Sequence, residues 1–138
     1  MPPSSPTRKP WWRRWFGDRS ERAAARFLRR LGYRILARNY VCPYGELDLV
    51  ALDGRCLVFV EVRSTGSDDI ERPAASVDQA KQHRLTRLAL HYLHEHHLLA
   101  CAARFDVLAL RWPEGQRRPH IVHYRQAFEA VGRFQMYR

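Results

Sequence analysis

Residues Gly45 to Arg63, GELDLVALDGRCLVFVEVR, predict two strands joined by a tight turn, and the rest of the predicted sheet is built around them. Short segments rich in apolar residues lie on both sides of Asp53-Gly54, and this dipeptide is typical of a two-residue hairpin turn. We therefore predict antiparallel strands over Gly45–Leu52 and Cys56–Arg63.

The hairpin also predicts which side chains meet. With the Asp-Gly dipeptide as the turn, Asp48 would lie opposite Phe59 and Glu46 opposite Glu61, and opposite residues project to the same side of a sheet. Arg63 follows two positions after Glu61, on the same face. The sequence predicts three carboxylates and one guanidinium together, although a slip of one residue would move the set to the other face.

Three carboxylates in one cross-strand patch repel one another unless a cation lies among them. A hard divalent cation such as Mg²⁺ or Mn²⁺ takes oxygen ligands and leaves positions for water and a phosphate-bearing substrate. The alternative is that Glu46 and Glu61 face solvent or pair with arginines from elsewhere. The hairpin thus predicts either a metal site or a set of separately neutralised carboxylates.

The remaining periodicities predict a mixed α/β domain around the hairpin. An amphipathic helix should begin near Asp18, and a longer one should begin with a capping box formed by Ser76 and Gln79. The other predicted elements are strands at Tyr33–Tyr40, Ala103–Leu110 and His120–Tyr124 and a short helix at Gln126–Val131. The predicted order is α-β-β-β-α-β-β-α.

The charge of the chain favours an acidic partner. Its 138 residues carry a formal charge of +10, of which residues 1–20 and residues 111–138 contribute +4 each. An apolar content of 46% excludes a disordered chain. No apolar run approaches the roughly 20 residues of a membrane span. Basic soluble domains typically meet nucleic acid or other polyanions.

The chain divides at about residue 17. Residues 1–17, rich in Pro, Trp and Arg, predict a disordered or loosely docked tail, or alternatively an arm that touches nucleic acid or anionic lipid. Residues 18–138 predict a single domain. Three widely spaced cysteines without a CxxC pair predict reduced thiols and a cytoplasmic protein.

Several segments together resemble a known family. Asp48 and, thirteen positions later, Glu61-Val62-Arg63 resemble the D…(D/E)xK site of restriction-endonuclease-like nucleases. A closer resemblance, over about residues 18–130, is to the YraN-like family of bacterial proteins. It rests on Glu21, GYRILARNY (32–40), GELDLVAL (45–52), FVEVR (59–63), Lys81 and RFDVLAL (104–110). The resemblance implies a restriction-endonuclease-like mixed β-sheet flanked by helices, related to that of Holliday-junction resolvases.

The resemblance also implies roles for individual residues. Asp48 and Glu61 would be the metal ligands, with the Val62 carbonyl as a further ligand, and Glu21 would hold a metal-bound water or a second ion from the first helix. The sequence also predicts a structural role for Glu21 in capping the helix, because it would be the third helical residue after an Asp18 N-cap. The two roles are compatible.

Arg63 departs from the nuclease pattern, which has lysine at this position. Arginine stays protonated at any working pH, so Arg63 cannot act as a general base. It can still stabilise charge that develops on a phosphate. Glu46, Arg104 and Asp106 would brace the site from outside; Arg104 and Asp106, two residues apart on one strand face, could instead form a structural ion pair.

Two helix faces are candidate nucleic-acid contacts. The start of the long helix combines a positive dipole end with polar and basic side chains that suit a phosphate backbone. The alternative is an ordinary solvated face. The candidate residues are Lys81, Gln82, Arg84 and Arg87 on the long helix and Arg22 and Arg26 on the first.

From the residues and the resemblance together, we expect a nucleic-acid-binding protein that acts as a Mg²⁺-dependent endonuclease or a junction-resolvase-like phosphodiesterase. The alternative is a non-catalytic DNA-, RNA- or ribosome-associated protein that retains the nuclease fold. The sequence is compatible with a homodimer and does not require one.

Overall fold

The computed structural model describes residues 11–65 and 77–130, which form one mixed sheet and two helices. The elements are α1 (Trp11–Arg30), β1 (Arg34–Cys42), β2 (Gly45–Asp53), β3 (Cys56–Thr65), α2 (Gln79–Glu95), β4 (Ala103–Arg111) and β5 (His120–Phe128). The predicted α/β class and the five predicted strands are confirmed.

The predicted final helix is wrong in its described part. β5 continues as a strand to Phe128, and residues 129–130 are not helical. The Phe128 ring stacks on Phe105 of the adjacent strand with centroids 4.5 Å apart, which holds this end of β5 against the sheet. Val131, the predicted end of the helix, lies outside the described residues.

The sheet has the order β1-β2-β3-β4-β5. Neighbouring strands are antiparallel except for β3 and β4, which run parallel. Parallel neighbours need a long crossover connection, and the segment that contains α2 supplies it. The sheet is therefore an antiparallel meander extended through one helical crossover.

The two helices cover opposite faces of the sheet, because consecutive strand residues point to opposite sides. On β3, Val58 packs in a cluster with Ala24 and Leu28 of α1, whereas Phe59 packs in a cluster with Leu88 of α2. These five side chains are at most 1% exposed. We call the two sides the α1 face and the α2 face.

Helix α1 starts earlier than the sequence predicts. It begins at Trp11 rather than near Asp18, so Glu21 lies well inside the helix and is not the third residue after an N-cap. A single glycine such as Gly17 weakens a helix by only about 1 kcal/mol relative to alanine, which does not stop it. The predicted tail therefore loses residues 11–17 to α1, and its first ten residues lie outside the described part of the chain.

Helix α2 is capped by Asp78 rather than by the predicted Ser76, which lies outside the described residues. The Asp78 side chain accepts a hydrogen bond from the backbone N–H of Lys81 at 2.8 Å. Aspartate is as good an N-cap as serine and adds a negative charge at the positive end of the helix. The cap fixes the first turn, which carries Lys81.

Neither helix in residues 11–65 and 77–130 is long and apolar enough to cross a membrane. Cys42, Cys56 and Cys101 carry free thiols, as predicted.

Candidate functional site

The hairpin register differs from the prediction by two residues. Asp53 pairs with Cys56 rather than lying in the turn, and Phe59 lies opposite Val50, not opposite Asp48. The turn is formed by Gly54, with a φ of 60°, and Arg55. A shift of two residues by itself would leave each side chain on its predicted face and change only its partners.

The β2–β3 ladder runs from Asp53↔Cys56 to Leu49↔Val60. The alternation of β2 is broken next to the end of this ladder. Leu49 packs in the α1-face cluster, whereas Leu47 packs in the α2-face cluster, although strict alternation would put both on one side. The irregularity falls at Asp48, between them. Glu46, which adjoins Leu47 and pairs with Val41 of β1, therefore points to the α1 face, and its predicted place on the same face as Glu61 is wrong.

Asp48 compensates for the lost ladder bonding with its side chain. Its Oδ2 accepts a hydrogen bond from the backbone N–H of Val62 at 2.9 Å. Because Val62 follows Glu61 and precedes Arg63, this bond brings the Asp48 carboxylate to the backbone of the Glu61-Val62-Arg63 motif. The structure thus joins the two halves of the predicted site across the end of the ladder.

Glu61 is the second carboxylate of the site and is already paired with a cation. Its Oε1 lies 2.5 Å from Nζ of Lys81, and the two side chains are 12% and 31% exposed. Glu61 also borders a small recess with apolar walls, which include Leu47, Phe59 and Leu85. The sequence placed Lys81 among nucleic-acid contacts, and no local signal could have paired residues 20 positions apart on different elements.

Glu21 is buried on α1, with 6% of its surface exposed. The preceding residue, Ser20, donates a hydrogen bond to Ser64 of β3 at 2.9 Å and accepts one from Trp112 at 3.0 Å. These bonds fix α1 against the end of β3 that follows Arg63. Glu21 therefore lies near this end of the sheet, on the α1 face, whereas Lys81 approaches from the α2 face.

The oxygen donors suit a hard divalent ion in kind. Asp48, Glu61 and the Val62 carbonyl are oxygen ligands, and Mg²⁺ commonly uses one or two carboxylates together with water. Within the described residues, no three His, Cys, Asp or Glu side chains lie close enough to hold a metal ion. An ion here would therefore rest on few protein carboxylates and would compete with Lys81 for Glu61.

The polar residues of α2 differ in what they contact. The Gln82 amide donates to the Val77 carbonyl at 2.7 Å and so closes the helix start. Arg84 is exposed beside Gly45, and the Arg87 guanidinium lies over the Tyr44 ring, 4.4 Å from its centroid. An exposed arginine next to an arginine–tyrosine stack is a surface suited to phosphates and unpaired bases.

The arginines of α1 do not join this surface. Arg22 and Arg26 are exposed on α1, on the opposite face of the sheet from Arg84 and Arg87. The structure therefore divides the predicted nucleic-acid contacts between two faces.

Arg104 and Asp106 form the structural ion pair that was one of their two predicted roles. Arg104 Nε donates to Asp106 Oδ1 at 3.0 Å, and its Nη1 lies 3.0 Å from Oδ2 of Asp53, at the hairpin turn. Tyr33 receives hydrogen bonds from Arg104 and Arg125 at 2.8 and 2.9 Å. This network braces the turn end of the hairpin rather than the end that carries Asp48.

The electrostatics of this network favour ionised carboxylates. Burial by itself would raise the pKa of Asp106, but hydrogen bonds from His123, Arg104 and the Gln126 N–H together lower it below its ordinary value. The pKa of Asp53 is also lowered, because hydrogen bonds and charge from Arg104 and Arg125 outweigh desolvation. The sequence did not predict the partners Tyr33, Asp53, His123 and Arg125, since most of these contacts join residues more than 70 positions apart.

Comparison with known proteins identifies the family. Residues 20–110, which hold the hairpin, Glu21 and Lys81, match the model of "Uncharacterised protein family UPF0102". The chain belongs to the UPF0102 family. The predicted resemblance to YraN-like proteins is thereby confirmed, since this is the same family.

Individual UPF0102 proteins align over most of their length. One from Moorella thermoacetica is 48% identical over 106 residues, which cover 77% of this chain and 88% of that protein. One from Rhodopirellula baltica is 45% identical over 119 residues, which cover 84% of this chain and 71% of that protein. A third, from Syntrophus aciditrophicus, is 44% identical over 119 residues, covering 85% and 91%.

Proposed function

We propose that this UPF0102 protein binds DNA or structured nucleic acid and hydrolyses a phosphodiester bond with Mg²⁺ or Mn²⁺ at the Asp48–Glu61 end of the hairpin. The bond from the Val62 N–H to the Asp48 carboxylate carries the proposal. It brings the Asp48 carboxylate of β2 to the backbone next to Glu61 of β3, where the ladder between these two strands ends. A break of this kind exposes backbone and side-chain oxygens that an intact ladder would hide.

The topology is consistent with a restriction-endonuclease-like domain, which forms part of the proposal. A three-strand antiparallel meander leads through a helical crossover to a parallel fourth strand, and one helix covers each face. The site lies at the end of the central strands β2 and β3, near the start of the crossover helix. Fold alone does not determine activity, so the proposal rests on the site.

In the proposed reaction, each residue of the chain has a distinct task. Asp48, Glu61 and the Val62 carbonyl would hold the metal ion, which when bound lowers the pKa of a water molecule and so makes it a better nucleophile. Arg63 would stabilise the charge that develops on the phosphate oxygens. Exposed Arg84 and Arg87 would hold the substrate backbone beside the site.

A second candidate function is nucleic-acid binding without cleavage, as in the DNA-, RNA- or ribosome-associated alternative. The Glu61–Lys81 ion pair favours this second function, because Lys81 already supplies the Glu61 carboxylate with the positive charge that a metal ion would supply. On this reading the site is a neutralised groove that accepts a phosphate backbone.

One experiment separates the two candidates. The purified protein is incubated with linear, flap and four-way-junction DNA and with structured RNA, in Mg²⁺, Mn²⁺ or EDTA. Asp48→Asn and Glu61→Gln are tested in parallel, with Glu114→Gln in the β4–β5 connection as the matched acidic control. Metal-dependent cleavage that is lost in the two site variants and kept in the control supports hydrolysis.

Cleavage that persists in both site variants would come from a contaminant and would refute the site. Salt-sensitive binding with no cleavage of any substrate would favour the binding protein. A protein that neither binds nor cleaves any of these substrates would refute both functions.

A further inference from the structure

Glu61 is paired with a lysine that lies outside the sequence motif. The nuclease pattern places lysine two residues after the acidic residue, and this chain has Arg63 there. The structure nevertheless brings a lysine to the same carboxylate from another element, with Nζ of Lys81 2.5 Å from Oε1 of Glu61.

The ion pair is held by its surroundings. The backbone N–H of Lys81 is fixed by the Asp78 side chain, and the next residue closes the helix start through its own side chain. Lys81 is less than one third exposed and Glu61 only 12% exposed. Exposed ion pairs are mobile and contribute little to the stability of the fold. This pair is partly buried, and two hydrogen bonds fix the start of the helix that carries Lys81.

Lysine is also rare in this chain. It occurs twice, at Lys9 and Lys81, against 22 arginines. In a sequence that uses arginine for almost every basic position, a lysine beside the site carboxylate points to a requirement for an ammonium group. Lysine has a compact charge with three rotatable donors and can release a proton, and arginine has neither property.

We propose that Lys81 takes the role of the lysine that the nuclease pattern places at position 63. Its ammonium group binds the phosphate of the substrate at the Asp48–Glu61 end of the hairpin. This inference rests on the proposed function, and it names the residue that meets the phosphate. One ammonium group has enough donors to keep Glu61 and also bind a phosphate oxygen. Arg63 then contributes a second, permanently charged group.

Nuclear magnetic resonance tests the contact without any cleavage. The full chain is labelled with lysine carrying ¹³C at Cε, which gives two signals, and Lys9→Arg assigns them. A four-way junction and a linear duplex are titrated in EDTA, so that no hydrolysis occurs. We expect the Lys81 signal to differ from that of free lysine, to move in Glu61→Gln, and to shift to saturation with at least one of the DNA probes.

Cleavage assays then test the role. Lys81→Arg keeps a positive charge at the helix start and should therefore still bind DNA, yet cleave at least ~100-fold more slowly, the usual loss when one charge-stabilising group is misplaced. Transfer of the lysine back to the motif position, Lys81→Ala with Arg63→Lys, should restore part of the rate. Thermal unfolding checks that both proteins fold.

The outcomes separate this inference from the proposed function. A Lys81 signal that moves with DNA, in a protein that cleaves nothing, would refute hydrolysis and keep Lys81 as the phosphate-binding residue. A Lys81 signal that ignores DNA, or full cleavage by Lys81→Arg and Lys81→Ala, would overturn the inference while leaving the Asp48–Glu61 site standing.

Discussion

His123 and Asp106 are joined across β4 and β5, with His123 Nε2 2.7 Å from Oδ2 of a carboxylate that has no exposed surface. Arg104 and the backbone N–H of Gln126 donate to the other oxygen at 3.0 and 2.9 Å. An ionised carboxylate can only accept hydrogen bonds, so the proton of this contact lies on His123 Nε2. The buried charge is thus satisfied by donors from two strands.

We expect Asp106→Asn to destabilise the fold. The amide keeps the shape but loses the charge opposite Arg104 and turns a donor towards one of the existing donors, and breaking a buried pair in this way typically costs about 3 kcal/mol. The free energy of unfolding from urea titration, followed by circular dichroism, measures the loss. Glu114→Gln is the exposed control and should leave the urea midpoint unchanged; equal midpoints for all three proteins would contradict a stabilising role for the network.

Acid should destabilise the protein through the same network. The folded-state pKa values of Asp106 and Asp53 are lowered, so near pH 4, the ordinary range for aspartate, the unfolded chain takes up protons at these groups before the folded chain does. Their contribution is complete at neutral pH and is lost as the pH falls from about 4 through the folded-state pKa values. Thermal unfolding midpoints measured from pH 7 to pH 3 should fall.

In Asp106→Asn this decline should be shallower than in the unaltered protein, because one of the two linked carboxylates is gone. A decline of equal steepness would assign the acid sensitivity to other groups.

Much of the fold was predictable because it depends on local patterns. The Asp53-Gly54 turn between two apolar segments predicted the hairpin, and helical periodicity predicted both helices. The hairpin register was not predictable in the same way. Asp53 remains in β2, where its carboxylate binds Arg104 and Arg125, and these partners lie far along the chain.

The candidate site was predictable in its members and not in its contacts. The hairpin and the family resemblance identified Asp48, Glu61 and Val62, but the irregularity at Asp48 breaks the alternation from which the shared face was predicted. The bond from Val62 to Asp48 depends on an irregularity in β2, and the Lys81–Glu61 pair depends on where the crossover helix starts. Both are tertiary effects that no periodicity within one strand or helix encodes.

The nucleic-acid surface is predicted to lie on the α2 face. Arg84 and Arg87 lie on α2, whereas Arg22 and Arg26 lie on the opposite face of the sheet. The double variant Arg84→Ala/Arg87→Ala should therefore weaken DNA binding more than the double variant Arg22→Ala/Arg26→Ala. Each lost phosphate contact should reduce the slope of log affinity against log salt by about one. Fluorescence anisotropy at several salt concentrations gives both quantities.

Equal losses in the two double variants would show that the substrate passes over the end of the sheet and touches both faces. No loss in either would place the binding surface outside these four arginines and contradict the predicted surface on the α2 face.

The role of Asp48 in the fold and its role at the site should separate by substitution. In Asp48→Asn the amide oxygen can still accept the bond from the Val62 N–H, so the fold should be nearly as stable as before, while metal-dependent cleavage falls because the charge is lost. In Asp48→Ala the Val62 N–H loses its acceptor as well, which typically costs about 1 kcal/mol or more. Urea midpoints and cleavage rates measured on the same preparations distinguish the two effects. A stable Asp48→Asn that cleaves at the full rate would show that Asp48 serves the fold alone.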